Sequence, residues 1–215
     1  MFENMPYLPY FLSAFMGIGL AAATGFRVFL PMFLVSLASY MGWIPMNAQF
    51  EWLSGLPVLI TTGIAMVVEV LAYYIPVVDS FLDMLSVPLA TVAGSVLFAS
   101  QFADLGGFSQ WALALIAGGG TAAVISSGFA GTRVASTATT GGLGNSTVAT
   151  TETAGAGVMS VLAMMAPVVA VIMAVVLVIS VLVLGRKMMS KLKRFNRKPS
   201  SKIIEVEVVE TKEIE

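Results

Sequence analysis

Long runs of apolar residues alternate with short polar segments along this 215-residue chain. The runs cover residues 7–43, 53–74, about 79–102, 111–129 and 158–184. Most of them have close to the roughly 20 residues that an α-helix needs to cross a hydrocarbon layer about 30 Å thick. A membrane β-barrel would instead show short segments of alternating polarity. The pattern therefore predicts several membrane-spanning helices.

The first run is too long for one crossing and barely long enough for two. Gly25 and Pro31 lie within it, and both residue types favour bends or breaks in a helix. We predict a broken helix or a tight, re-entrant helical hairpin that turns near residues 24–27. A single tilted span followed by an interfacial helix is the alternative. Pro76 and Pro167 are predicted to break the backbone further along the chain.

The composition is that of an integral membrane protein. Hydrophobic residues make up 58% of the chain and charged residues 11%, and the mean hydropathy is +0.92. A core of this size could not hide so much apolar surface from water. We predict an all-α fold, a polytopic membrane helical bundle over residues 1–185. A basic and then acidic tail, residues 186–215, is expected to be disordered.

The residue types present exclude some chemistry. The sequence has no Cys and no His, so thiolate and imidazole catalysis and the metal sites built from these residues are ruled out. We expect no cofactor, no nucleic-acid partner and no enzymatic activity. The sequence does not indicate a particular metal ion for the site.

Basic residues concentrate after the last apolar run. Seven of the eleven Lys and Arg residues lie between Arg186 and Lys198. Such a cluster marks the cytoplasmic side of a membrane protein. We therefore expect a cytoplasmic C-terminus and a location in the cytoplasmic (inner) membrane of a bacterium. The bilayer is the expected partner, with anionic lipid headgroups at the basic cluster.

Arg27 lies among apolar residues in the segment GLAAATGFRVFLP. A charge at the bilayer centre costs at least ~2.5–3.5 kcal/mol, and an Arg does not avoid this cost by losing its proton. We predict that Arg27 faces the bundle interior and pairs with Glu69, which lies within the second run. The alternative is a side chain that extends to the membrane surface. Tyr73 and Tyr74, at the end of the second run, are predicted to lie at the membrane interface.

Asp79 and Asp83 are four residues apart, so on a helix they share one face. Asp79 follows Pro76 at the predicted start of a helix, where an aspartate caps free N–H groups and complements the helix dipole. Alternatively, the two carboxylates are oxygen ligands for a cation such as Na⁺, Ca²⁺ or Mg²⁺.

Residues 130–157 consist almost entirely of Gly, Ala, Ser and Thr, with Arg133 and Glu152 as their charged residues. A segment of this composition is usually a flexible loop, and we expect an external one here. The alternative is a re-entrant segment at membrane depth, which is tolerated where it is buried in protein or lines a cavity.

The chain also contains a weak internal similarity. The segments TGFRV, residues 24–28, and AGTRV, residues 130–134, share a G-x-R-V core, and each is followed by a Glu in or beside an apolar run. An inverted repeat, a common plan in transporters, would produce this pattern. A chance match in a Gly-rich chain is the alternative.

Two segments, GFRVFLP and EVLAYYIPVVDSFLD, and a later series of Arg, Asn and Glu carry a resemblance to a known family. The chain resembles a family of small multi-pass bacterial membrane proteins, domain of unknown function 4126, over roughly residues 13–165. The resemblance implies an integral membrane protein with no established activity. Many members carry a His and a Lys before the second Arg, where this chain has SSGFAGTR. The candidate site residues are Arg27, Glu69, Asp79, Asp83, Arg133, Asn145 and Glu152.

These features favour a small transporter or channel-like protein for an ion, a proton or a small solute, with a polar site at mid-membrane. Two alternatives remain compatible with the sequence. One is a non-transporting scaffold or accessory subunit, in which the buried ions are structural. The other is a lipid-handling protein, in which Arg residues bind a lipid phosphate. A homo-oligomer is compatible with each of these functions.

Overall fold

The computed structural model describes residues 7–102 and 107–196, apart from the side chains of residues 76, 77, 80 and 191–196. Within this part of the chain every regular element is helical and none is a β-strand, which confirms the predicted all-α fold. Of the tail that was predicted to be disordered, residues 186–215, the part up to Asn196 is helical as the end of α8, and the part from residue 197 onwards lies outside the described residues.

Eight α-helices follow one another in the described residues. A π-helical segment, Ala114–Gly119, joins α5 to α6 without a break, and one 3₁₀ turn, Glu51–Ser54, precedes α3. The helices are α1 (Leu8–Phe26), α2 (Phe29–Tyr40), α3 (Leu56–Ala72), α4 (Pro76–Ala99), α5 (Gly107–Leu113), α6 (Gly120–Thr140), α7 (Asn145–Met165) and α8 (Pro167–Asn196).

Several of these helices are candidate membrane spans. By length and apolar composition, five segments among the described residues are able to cross a membrane: Leu8–Phe26, Phe81–Ala99, Gly107–Thr140, Asn145–Met165 and Pro167–Ser190. The helices α2 and α3 are apolar but shorter. The protein is therefore a multi-pass helical membrane protein, as the runs of apolar residues predicted.

The long first run forms two helices, which confirms the predicted broken helix. α1 ends at Phe26, Arg27 is extended with φ −143° and ψ 136°, and α2 begins at Phe29. Gly25 and Pro31 lie on either side of this break, Gly25 in the last turn of α1 and Pro31 in the first turn of α2. A Cβ at Gly25 would lie 2.7 Å from Ile125 Cβ, so close packing requires glycine there.

The two later prolines stand at helix starts. Pro76 opens α4, and Pro167 opens α8 directly after Ala166, whose φ of −141° and ψ of 66° end α7. A proline is accommodated at a helix N-terminus because its missing N–H has no intrahelical partner there.

The expectation of a loop over residues 130–157 is wrong. The segment forms the end of α6 and the first half of α7. The turn between them contains Gly141 and Gly142, whose φ values of 64° and 91° suit glycine. Threonine hydroxyls in both helices bond back to the carbonyl four residues earlier, for example Thr140 to Ser136 and Thr150 to Ser146. These hydroxyls are thus satisfied within a helix.

The helix α1 lies at the centre of the unit that ends at Ile179, where it packs against α4, α6 and α7. The helix α2 packs against α3. Buried apolar side chains from six helices form the main core, among them Leu20, Val35, Leu97, Ile125 and Met159. Small residues allow α4 to approach α6 and the π-helical segment, because a Cβ at Gly94 would lie 2.6 Å from Ala122 Cβ. This packing brings the C-terminal end of α1 between the helices that carry the charged residues.

Candidate functional site

Ion pairs and side-chain hydrogen bonds join six of the seven predicted site residues, and Glu69 binds the backbone next to Arg27. We call all seven the charge cluster: Arg27, Glu69, Asp79, Asp83, Arg133, Asn145 and Glu152. Four helices, α3, α4, α6 and α7, supply them together with the break between α1 and α2. The cluster residues on these four helices all lie within about two turns of a helix end. Their depth in the membrane stays a prediction.

Arg133 on α6 is the centre of the charge cluster. Its guanidinium pairs with Asp79 and Glu152 and lies 3.3 Å from Asp83 Oδ1, so three carboxylates surround one cation. The Nε–H also donates to Glu152 Oε1 at 3.0 Å. Arg133, Asp79 and Glu152 are buried, whereas the Asp83 side chain is 22% exposed. Asp83 is therefore the most exposed carboxylate of this group.

Arg27, at the break after α1, is 1% exposed and is held by α7. Its Nη2 donates to the Ala149 carbonyl at 2.9 Å and lies 3.5 Å from Glu152 Oε2. Its Nε donates to the Thr153 hydroxyl at 3.2 Å. Glu152 thus pairs with both arginines and connects Arg27 to the group of carboxylates around Arg133. Its position between them reduces the repulsion between two buried cations.

The predicted pairing of Arg27 with Glu69 is wrong. The Glu69 carboxylate instead accepts the backbone N–H of Val28 at 2.9 Å and that of Phe29 at 3.0 Å. These N–H groups stand at the start of α2, where they have no partner within the helix. Among the described residues Glu69 forms no ion pair. The sequence placed Glu69 correctly inside the bundle but could not reveal that the backbone after Arg27 would be its partner.

The side chain of Asp79 does not cap α4, although the sequence predicted this role. Asp79 lies in the first turn of α4, but its two carboxylate oxygens bind Arg133 and the Asn145 side-chain amide. Asn145 Nδ2 donates to Asp79 at 3.0 Å and to the Thr137 hydroxyl at 3.1 Å. The first residue of α7 is thereby tied to α4 and α6.

Tyr73 is a cluster member that the sequence analysis missed. The Arg27 and Arg133 guanidinium carbons lie 3.9 Å and 4.0 Å from its ring centroid. Both cations therefore contact the same aromatic ring. Tyr73 is 8% exposed, whereas its neighbour Tyr74 is 47% exposed and contacts the Thr150 hydroxyl. The interface position predicted for the pair therefore suits Tyr74 and not Tyr73.

The charge cluster contains two guanidinium groups and four carboxylates, a formal charge of −2 when all six are ionised. In the described part of the chain no group of three or more His, Cys, Asp and Glu residues is arranged to hold a metal ion. Three of the four carboxylates converge on Arg133, and these three are therefore not an open set of metal ligands. Chemically, the arrangement suits the binding of protons or of a further small cation, which would balance the excess negative charge.

Comparison with known proteins supports the membrane assignment without adding an activity. The model of a family described as a domain of unknown function, DUF4126, matches residues 14–187. No curated protein and no solved structure matches the chain.

Proposed function

We propose that this chain, which belongs to the DUF4126 family, is a membrane transporter or channel-like protein for protons or a small cation, with the charge cluster as its binding site. The family description assigns no activity, so the proposal depends on the cluster itself. Its main support is the convergence of three carboxylates on Arg133 in a protein with several candidate membrane spans. Ionisable residues in such helices are costly, and they commonly mark the path of an ion or a proton.

The excess of carboxylates favours a cationic substrate. Arg133 is shared by three carboxylates, and Glu152 is in turn shared with Arg27. A buried charge without full compensation is unfavourable. A proton or a cation that joins the cluster removes part of this imbalance, whereas an anion would increase it. We therefore place the substrate among protons and small cations.

Asp83 is proposed as the residue that receives the substrate from water. Its side chain is the most exposed of the carboxylates that pair with Arg133, and its contact with that guanidinium is 3.3 Å long. It forms no second ion pair in the described residues. Substitution of Asp83 should therefore change function with less effect on folding than substitution of Asp79 or Glu152.

The test is a flux measurement in proteoliposomes. Wild type and Asp83→Asn are reconstituted, and H⁺, Na⁺ and K⁺ fluxes are measured with fluorescent indicators. We expect flux in the wild type and the rate of protein-free liposomes in Asp83→Asn. Glu51→Gln is the control, because Glu51 is exposed and lies outside the charge cluster, and it should retain the wild-type flux. Equal flux in wild type and Asp83→Asn would contradict the proposed role of Asp83.

A non-transporting scaffold is the second candidate, and the dense pairing within the charge cluster favours it. Arg133, Asp79 and Glu152 bind one another, and a purely structural network would have this form. Absence of H⁺, Na⁺ and K⁺ flux in correctly folded wild type would overturn the transport proposal and support the scaffold. Loss of stability in cluster variants is common to both functions and does not separate them.

The exposed residues Arg186 and Lys187 begin the basic cluster near the end of α8. We propose that this cluster contacts anionic lipid headgroups on the cytoplasmic side of a bacterial inner membrane. Binding of phosphatidylserine or phosphatidylglycerol should weaken when the basic residues are replaced by Gln. Homo-oligomer formation stays a prediction.

A further inference from the structure

We propose that Glu69 is a positioning residue whose ionised carboxylate caps α2 and so holds Arg27 in the charge cluster, and that protonation of Glu69 releases this cap. The inference deepens the proposed transport function, on which its biological meaning rests, by naming how the site is regulated. It is carried by hydrogen bonds that the backbone at the start of α2 donates to Glu69, which lies 40 residues after Phe29 in the chain.

The start of α2 depends on Glu69 for its cap. Its N-cap residue, Val28, is a valine, which has no side-chain oxygen with which to cap the helix. Glu69 Oε1 and Oε2 supply the missing acceptors, one to the N–H of Val28 and one to that of Phe29. An ionised carboxylate at this position also complements the positive end of the helix dipole. The cap thus fixes where α2 begins relative to α3.

The cap also fixes the backbone next to Arg27. The Arg27 N–H bonds to the Ala23 carbonyl at 3.2 Å, as the last bond of α1, and the next two N–H groups donate to Glu69. The side chain of Arg27 is held by α7 through Nε and Nη2, but Nη1 has no hydrogen-bond partner among the described residues. The position of Arg27 therefore depends on the backbone at the break.

A cleft lies beside Glu69. The residue is 8% exposed and lines a cleft of about 150 Å³ between the start of α2, α3 and α4. The side chains that α4 contributes to this cleft are not ionisable: Leu82, Ser86 and Leu89. The charged or ionisable groups around Glu69 come from the other elements: Arg27 at the break, Glu152 on α7 and Tyr73 after α3.

Protonation would remove the features that make the cap strong. A neutral carboxyl group uses one oxygen as a hydroxyl donor, so it is a poorer acceptor for two N–H groups at once. It also loses its favourable interaction with the helix dipole. At least one N–H at the start of α2 would then be left without its partner, and the break would loosen beside Arg27. Proton binding at Glu69 would in this way alter the contact between Arg27 and Glu152.

The experiment is an NMR titration of the full chain in lipid nanodiscs. The ¹³Cδ signal of Glu69, the amide ¹H signals of Val28 and Phe29 and the Nε–H signal of Arg27 are followed from roughly pH 4 to pH 9, a range that includes the known values for buried glutamates. We expect all four signals to change with one shared midpoint. The two amide protons should move upfield as pH falls, because their hydrogen bonds weaken.

Variants and controls make the outcome decisive. Glu69→Gln should abolish the pH-dependent change at the amides of Val28 and Phe29, whereas Glu51→Gln should leave it as in the wild type. Absence of a Glu69 titration in wild type, or amide signals that do not follow it, would overturn the proposal. The wild-type result does not depend on whether a variant folds. It is also independent of flux, so failure of the transport proposal would be recognised separately.

Discussion

At the scale of single residues, Glu152 links the two arginines of the charge cluster. It is 2% exposed and pairs with both Arg27 and Arg133. Glu152→Gln would remove the carboxylate that pairs with buried Arg27, and breaking a buried ion pair in this way costs about 3–5 kcal/mol. We expect a decrease of this size in the free energy of unfolding, measured by circular dichroism in mixed micelles. Glu51→Gln, at an exposed position, should unfold like the wild type, and equal stability of the two variants would contradict the role of Glu152.

Tyr73 contacts the same two cations. The expected result is that Tyr73→Phe keeps wild-type stability, because the ring that both guanidinium groups contact is retained. Tyr73→Leu removes the ring and should destabilise the protein by about 1–2 kcal/mol for each of the two buried cation–π interactions. Denaturant unfolding of the two variants side by side measures the difference. A Phe variant as unstable as the Leu variant would show that the hydroxyl group, and not the ring, matters.

The sequence identified which residues belong to the charge cluster, but it did not identify which of them pair with one another. Charged residues within apolar runs are costly, and this argument alone singled out Arg27 and Glu69. The pairing of Arg27 with Glu152 depends on which helices are neighbours, and the pattern of apolar residues does not encode that. Tyr73 was missed because an aromatic residue at the end of an apolar run usually lies at the membrane interface.

At the scale of helices, close packing between α4 and the π-helical segment depends on Gly94 and Gly118. A Cβ at Gly94 would lie 2.6 Å from Ala122 Cβ and 3.1 Å from the Gly118 carbonyl oxygen. We expect Gly94→Ala to destabilise the protein by about 1–3 kcal/mol, because a well-packed core tolerates added volume poorly. Gly131→Ala is the control, since nothing lies within 4 Å of its added Cβ. This control should be neutral or stabilising by up to about 1 kcal/mol, as read from unfolding in the same micelles.

The error over residues 130–157 has a physical reason. In a soluble protein, Gly, Ser and Thr weaken helices and favour loops. In a membrane helix the same small residues allow close packing, and their hydroxyls bond to the preceding turn. The paired glycines 141 and 142 were the signal that separated the turn from the helices.

At the scale of the whole molecule, the apolar runs predicted the architecture well because the bilayer admits few solutions for the backbone. The inverted repeat stays a prediction. The two G-x-R-V segments differ in backbone conformation, since Arg27 lies at a helix break and Arg133 lies inside a continuous helix. A four-residue match does not determine local structure, which packing against other helices decides.

The membrane position of the bundle can be tested because the chain has no cysteine. Leu143, in the turn between α6 and α7, and Ser127, in the middle of α6, are both exposed on the surface of the protein. Ser127 lies roughly 20 Å of helix before Thr140, the end of α6, and a hydrocarbon layer is about 30 Å thick. In nanodiscs, Leu143→Cys should react quickly with a membrane-impermeant maleimide, whereas lipid should protect Ser127→Cys. After solubilisation and unfolding, both should react alike. Equal rates in the nanodisc would mean that the middle of α6 faces water, which would contradict the assignment of Gly107–Thr140 as a membrane span.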